Sequence, residues 1–561
     1  MIELVGIDSL PNLGLALTIL VAAVLVGSLV AVWYLDRPAG RLGELLRRRF
    51  VMGVPWGTLV IVAFVLVVYL FVQGGYERWY NPMVVPFRSW SYFYPLGILT
   101  APFSHRGAGH LLGNLFGTIA LAPIAEYAWG HFPQERGQET FRSWRHNPWI
   151  RALVLFPAGV LAVGLATGLF SLGPIIGFSG VVFAFAGFAL VRYPLTTVVA
   201  VLVGPSTLSL IYSALNNPTL TVTPSPRPPT APWWAQVAIQ GHAIGLLIGV
   251  LLGVALLWQR GHRPDAWRIW LATLVFAAEE ALWAVYWFRG NESFVLYRGL
   301  GVVLIGLLAI VVTLAVTTSD REVLGTLSSR QVWMSVLLLS ASALAGPAIA
   351  TNFLTVGSTS SPDTTVQAGD YTVYYAENVE NQMVSVVEID AFGETTTVKT
   401  SGVIVVSEDR HIWTQQISKG RLAFSGRASV TVGGIGWRER VGAIRRGWSA
   451  VGGGTAYMVW LDPPDDRPRL AFVSDPVTAE PLIAGRNVSV VPAKGSFYLA
   501  VTRNNSTLGR VPIASLNATD SVRNTTEAVS AGGVQFLRVG DRIYAIDNET
   551  VVRVAKKESY K

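Results

Sequence analysis

Ten times before residue 352 the sequence runs through about twenty residues almost free of charge, the length a helix needs to cross a hydrocarbon core of ~30 Å. These runs lie near 12–35, 54–73, 108–128, 152–170, 179–193, 195–213, 235–258, 267–288, 297–317 and 331–351. In lipid a backbone satisfies its own hydrogen bonds only as a helix or a closed barrel, so the runs read as membrane-spanning helices. The run at 179–193 is short and glycine-rich, and is expected inside protein rather than against lipid. The flank MIELVGIDSL is acidic where a cleaved secretory signal would be basic, so the first run reads as a retained span.

The few charges in this region carry the orientation. All six lysines lie beyond residue 398, and before residue 352 arginine is the only cationic side chain apart from histidine. Alternate connections hold Arg37, Arg41, Arg47, Arg48 and Arg49; Arg136, Arg142, Arg145 and Arg151; Arg192; Arg260, Arg263 and Arg268; and Arg321 and Arg330. The opposite connections hold Arg78, Arg88, Arg106, Arg227 and Arg289. Fifteen against five fixes the first set as cytoplasmic by the positive-inside rule, with the N-terminus and everything after residue 351 outside. The same bias accounts for the formal net charge of +8 without nucleic acid as a partner.

Residues 352–561 change character. Alternating stretches such as TVKTSGVIVVSE, RLAFSGRASVTV and SFYLAVT stand between Gly, Pro, Asn and Asp turns, which reads as an all-β extramembrane domain, taken as a sandwich. N-x-S/T sequons at Asn487, Asn504, Asn505, Asn517, Asn524 and Asn548, with Asn291 in an outer connection, agree with that placement. TVTPSPRPPTAPWW at 221–234 reads as a stiff polyproline-like outer loop. The absence of cysteine excludes disulfides, thiolate metal sites and a catalytic thiol. No His/Asp/Glu group has metal-ligand spacing, so no metal and no cofactor are expected.

Polar residues inside spans are costly and call for an explanation. Four stand out: His110 and Asn114 in the third span, Ser179 opening the fifth, and His242 in the seventh. The arginine-derived topology puts all four toward the outer ends of their spans. His110 and Asn114 are one helical turn apart, on one face. Ser179 sits in GFSG, where small neighbours admit another backbone, and His242 precedes Gly245 and Gly249, a small-xxx-small packing face. A neutral histidine can take the proton of a serine hydroxyl, while His110, Asn114 and the Ser179 N–H can donate to an oxyanion. No span carries an aspartate to orient His242, so a dyad is expected rather than a triad. Singly, each residue has a structural reading: a helix cap, a core histidine, an interhelical hydrogen bond. Their convergence at one depth is what points to a site.

Three motifs occur in order: HRGAGHLLGN (His105, His110, Asn114), GFSGVVFAFAG around Ser179, and GHAIGLLIG around His242. In them the chain resembles the rhomboid family of intramembrane serine proteases. The resemblance covers roughly 54–258, the family's six-helix core. It implies an α-helical polytopic membrane protein with that core and extra helices, ahead of the C-terminal all-β domain. The expected division is an extra helix and basic cytoplasmic loop (1–53), the protease core (54–258), three further transmembrane helices (259–351) and the outer domain (352–561). By the resemblance Ser179 is the nucleophile and His242 its base. His110, Asn114 and the Ser179 amide form the oxyanion hole, Gly177 and Gly180 shape the serine's turn, and His105 is structural. Two departures stand out. The family's Trp-Arg in the first outer loop is replaced by Trp90-Ser91, and Phe183 stands where a tyrosine often stacks on the histidine.

The expected activity is serine-type endopeptidase cleavage of transmembrane protein substrates near the outer face of the bilayer. Two other readings stand beside it, a non-catalytic rhomboid-like client-binding protein and a sensor or adhesion protein acting through its β-domain. Deleting residues 358–561 is expected to separate protease from sensor: a protease retains some cleavage, while a sensor loses everything. The β-domain itself is open to two roles, recruiting substrate or binding another extracellular protein. Glu279 and Glu280 resemble part of the EExxxR motif of CAAX-type membrane endopeptidases, but Ala284 stands where the arginine is required. They read as buried carboxyls with Arg298 as partner.

Overall fold

The computed structural model describes residues 13–36, 40–132, 141, 143–220, 226–260, 264–290, 293–319, 322–324, 327–357, 362–385, 399–520, 527–548 and 550–561. Arg37, Arg136, Arg142, Arg263, Arg321, Asn291 and Asn524 lie outside the described residues. In chain order the principal helices are α1 (Leu13–Asp36), α2 (Trp56–Val72), α3 (Ala108–Trp129), α4 (Pro148–Phe170), α5 (Ser179–Arg192), α6 (Pro194–Asn216), α7 (Ile239–Gln259), α8 (Ala266–Glu279), α9 (Arg298–Thr317) and α10 (Ser329–Thr351). Among the described residues seven of them, α1, α3, α4, α6, α7, α9 and α10, are long and apolar enough to cross a membrane, and α2 and α5 are shorter apolar helices. The chain is a multi-pass membrane protein.

Helix α5 lies inside the bundle, as its glycine content predicts, with Val181, Phe183, Phe185, Ala186, Ala189 and Leu190 all buried. Its partner is α7, and the two meet main chain to main chain. A methyl group on Gly245 would lie 2.1 Å from the Gly180 carbonyl oxygen, one on Gly249 2.1 Å from that of Ala184, and one on Gly187 2.2 Å from that of Leu246. Small residues on both helices permit this approach, which brings the start of α5 beside the first turn of α7. Helix α1, by contrast, is peripheral. Its Thr18 hydroxyl donates to the Leu215 carbonyl at 3.2 Å near the end of α6.

The run near 267–288 does not form a full span. Helix α8 stops at Glu279 after 14 residues, and the chain continues through a buried irregular segment containing Ala281, Leu282 and Ala284. A hairpin follows, Tyr286–Gly290 paired with Ser293–Leu296. The Tyr286 hydroxyl donates to the Ala235 carbonyl at 2.9 Å, at the end of the bundle where α7 begins. Irregular backbone is tolerated at this depth because protein surrounds it; a methyl group on Gly301 of α9 would lie 1.6 Å from the Trp283 carbonyl. The expected pairing of Arg298 with the two glutamates is corrected as well. Neither Glu279 nor Glu280 forms an ion pair among the described residues, and Arg298 lies 5.7 Å from the Trp283 ring.

Beyond α10 the chain is rich in strands, including β1 (Tyr371–Glu380), β2 (Lys399–Ser407), β3 (Arg427–Gly434), β4 (Trp437–Ala450) and β5 (Thr455–Asp462). Among the described residues the expected sandwich resolves into two larger hydrophobic cores arrayed along one nine-stranded sheet, each covered by a separate four-stranded sheet, and a smaller cluster of Tyr374, Ala376, Ile404, Val406 and Trp413. The first core is not built from the β-domain alone. Val85, Trp90 and Tyr94, from the connection between α2 and α3, pack in it with Tyr371, Val403 and Val441. Burying such side chains is worth about 1.5–3 kcal/mol each.

Polar contacts continue this join. The Tyr94 hydroxyl accepts from Arg410 Nη1 at 3.1 Å, and the Arg410 guanidinium is paired with Asp370. Burial pushes the Asp370 carboxyl up, but the hydrogen bond and charge of Arg410, with further hydrogen bonds from backbone and Ser407, together hold the group below its ordinary value. The Ser91 hydroxyl donates to the Leu354 carbonyl at 2.6 Å. Asn352, buried at the end of α10, gathers three segments. Its carbonyl accepts from Tyr92 N–H at 2.9 Å, its Nδ2 donates to the Ser171 carbonyl at 2.7 Å, and its Oδ1 accepts from Gly173 N–H at 3.3 Å.

Candidate active site

Four of the sequence-derived residues meet at the β-domain end of the bundle. Ser179 opens α5 directly after Phe178, and Gly177 before them has φ +131°, a conformation that side-chain-bearing residues rarely adopt. A methyl group on Gly177 would also lie 2.5 Å from His110 Cε1. Glycine is therefore required there twice over, by backbone torsion and by space. The Gly177 N–H donates to the Ala101 carbonyl at 2.9 Å and holds the turn in place.

Ser179 Oγ and His242 Nε2 are 2.7 Å apart. Four residues beyond the serine, one turn along α5, the Phe183 ring stacks on the His242 imidazole with centroids 4.2 Å apart and planes at 20°. Phe276 of α8 meets the Phe183 ring edge to face at 5.2 Å. These rings fix the imidazole plane where no carboxylate does. His242 Nδ1 is buried and has no hydrogen-bond partner among the described residues. A proton on Nδ1 leaves Nε2 with a lone pair facing the serine hydroxyl.

His110 presents the opposite tautomer. Its Nδ1 accepts from Arg106 N–H at 3.4 Å, which places the ring proton on Nε2, the nitrogen nearest Gly177. Asn114, one turn on and buried, has an Nδ2 amide without a partner among the described residues. That amide would stand 3.5 Å from a methyl group on Gly177, so it faces the same small space. A buried donor without an acceptor costs roughly 1–3 kcal/mol, and this one is free to meet an acceptor placed beside the serine. The first N–H groups of α5 add donors with no intrahelical acceptor.

The supporting residues fall into place around these four. His105 is buried and meets the His110 ring edge to face at 5.3 Å. Gly180 and Gly245 abut main chain to main chain, as Ala184 and Gly249 do one turn further on. Trp90, at the departure from the family's Trp-Arg, is buried and donates its indole N–H to the Val85 carbonyl at 2.7 Å.

Several residues that position the site were not among the sequence candidates. Gln73, at the end of α2, accepts from His105 N–H at 2.7 Å and donates to the His105 and Met83 carbonyls at 2.8 Å, tying the two loops together. The Ser89 hydroxyl accepts from Ile175 N–H at 3.0 Å, four residues before Ser179. At the opposite end of the bundle, Glu126 and His131 form a fully buried pair at 2.5 Å, and Glu126 also accepts from Gly57 N–H and Thr58 N–H. The polar termini of Gln73 and of Glu126 were visible in the sequence, but nothing in their spacing set them apart from ordinary span ends.

Residues 92–259 match the rhomboid domain family. The chain carries a rhomboid domain. The matched region begins in the connection before α3 and ends at the last residue of α7, so it contains His110, Asn114, Ser179 and His242. No curated protein and no solved structure matches the chain. Helices α1, α2, α8, α9 and α10 and the β-domain lie outside the matched residues.

Proposed function

We propose that the protein is an intramembrane serine endopeptidase that cuts transmembrane segments of other membrane proteins near the outer face of the bilayer. The observation that carries this reading is the 2.7 Å contact between Ser179 Oγ and His242 Nε2, with the unpartnered Asn114 amide beside it. In this mechanism His242 Nε2 takes the hydroxyl proton as Ser179 Oγ attacks the scissile carbonyl. His110 Nε2–H, Asn114 Nδ2–H and the Ser179 N–H stabilise the oxyanion. The imidazolium returns the proton to the leaving amine, leaving an acyl-enzyme on Ser179. A water molecule, deprotonated by His242, then attacks the ester and releases the new carboxyl terminus. The arginine bias supports an orientation with the N-terminus and the β-domain outside, at the end of the bundle that holds the dyad; we take the membrane to be the cell membrane.

Treatment of the reconstituted protein with a fluorophosphonate probe is expected to label Ser179 and to block cleavage of a reporter transmembrane substrate. A wild-type protein that neither takes the label at Ser179 nor cuts any reporter would overturn the reading. Asn114→Ala is expected to lower kcat by about 10²-fold with KM nearly unchanged, because the amide meets charge only in the transition state. Steady-state kinetics in liposomes gives the split, and a change confined to KM would remove Asn114 from the oxyanion site.

A further inference from the structure

A cleft of about 1430 Å³ lies outside the dyad, between residues 77–81 of the α2–α3 connection, Pro226 and Pro228, and the outward face of strands β3 and β4. Arg78, Arg421, Arg427, Arg438 and Arg440 line it. None of the five forms an ion pair among the described residues. Arg438 Nη1 donates to the Asn81 carbonyl at 3.1 Å while its buried Nε has no partner, and Arg440 Nε donates to the Ser429 hydroxyl at 2.8 Å. Three carboxylates also line the cleft, but Asp466 is engaged by Arg469 at 2.6 Å, which leaves Glu77 and Asp462 against the five guanidiniums. Burial first, and then the charges of Arg78 and Arg440, hold Arg438 below the ordinary guanidinium value against the smaller opposing charge of Glu77. Positive charge is thus crowded here without a matching counter-charge.

Two features select the ligand. No residue of the cleft wall belongs to a membrane-spanning helix, so there is no surface to receive acyl chains, and a lipid headgroup is disfavoured. The volume exceeds the ~300–1,000 Å³ of small-molecule pockets and suits several residues of extended chain. Planar guanidiniums suit carboxylates in bidentate geometry. The cleft is also close to the dyad along the chain. A methyl group on Gly107 would lie 3.6 Å from the carbonyl of Tyr80, a wall residue, and Gly107 immediately precedes the helix that carries His110.

We propose that this cleft binds an extended, Asp/Glu-rich extramembrane segment of the substrate. The protein would then select membrane proteins with an acidic stretch beside the cleaved span, on the β-domain side. This rests on the protease reading above, since it names the substrate class of that site. Holding the acidic stretch raises the local concentration of the adjoining transmembrane segment at the dyad.

The test uses the full-length Ser179→Ala protein in zwitterionic liposomes and a fluorescent Asp/Glu-rich peptide, with a Gly/Ser peptide of equal length as control. The acidic peptide is expected to bind in a salt-sensitive manner and the control not to bind. The charge reversals Arg427→Glu and Arg440→Glu together should weaken binding about tenfold or more, with the thermal unfolding midpoint confirming that the variant is folded. Equal binding of both peptides, or binding unaffected by the reversals, would overturn the proposal. So would arginine-dependent binding of phosphatidylglycerol vesicles without any binding of the acidic peptide. A parallel cleavage assay with active protein compares two reporters that share one span and differ in the acidic stretch. Equal cleavage of both, with no peptide binding, overturns the cleft and leaves the protease reading standing. Peptide binding with no cleavage of either overturns the protease reading and the substrate role together, and leaves only an acidic-peptide site.

Discussion

Ser179→Ala is expected to reduce cleavage of a reporter transmembrane substrate by roughly three orders of magnitude or more, to the background of protein-free liposomes. His242→Ala should cost about as much, because the hydroxyl is a poor nucleophile without the nitrogen 2.7 Å away. The double variant should be no worse than either single one, since the two groups act as one unit. Rates of product formation in liposomes, with thermal unfolding as the fold control, give all three values. A His242→Ala protein within tenfold of wild type would remove the dyad from the mechanism. Additive losses in the double variant would show that serine and histidine do separate jobs.

Removal of residues 358–561 is expected to reduce Ser179-dependent cleavage at least tenfold, although every matched residue of the rhomboid domain remains in the truncated chain. Val85, Trp90 and Tyr94 would lose the core they share with Tyr371, Val403 and Val441, and Tyr94 would lose Arg410. The displaced connection is hydrogen-bonded through Ser89 to Ile175, four residues from Ser179, so the disturbance reaches the site. Trp90→Ala probes the same join in the intact chain and should cost about 3–5 kcal/mol of stability. Activity and unfolding midpoints measured on both proteins check this, and a truncated protein that cleaves like the full chain would refute it. The deletion therefore does not separate a protease from a sensor, because the β-domain is structural support for the α2–α3 connection as well as a surface of its own.

Much of the membrane part was legible because lipid leaves a chain few options. Runs of the right length became helices, and the rare polar residues inside them, His110, Asn114, Ser179 and His242, are the ones that converge. The run at 267–288 failed for a physical reason. Apolar composition reports burial, and backbone buried among protein helices can be irregular, as it is from Ala281 to Val285. Gln73, Ser89 and Asn352 escaped notice because a polar residue at a span end is ordinary, and only the fold shows which loops each one ties. The shared core was least accessible of all. Tyr94 and Arg410 are 316 positions apart, and no periodicity or motif links them. Trp90, at a departure from the family pattern, marked the right place without revealing what covers it.

The main-chain contact between α5 and α7 has a consequence for how such a site can vary. The distance from Ser179 to His242 is set by the abutment of Gly180 on Gly245 and of Ala184 on Gly249, not by side chains that could be trimmed or enlarged. The smallest change available, one methyl group at either glycine, would already lie 2.1 Å from a backbone carbonyl oxygen, too close without moving the helices apart. The spacing of the two reacting atoms thus has no fine adjustment. Sequence change can retune the rings around His242 or the loops above it, but the gap between the two helices is either kept or lost.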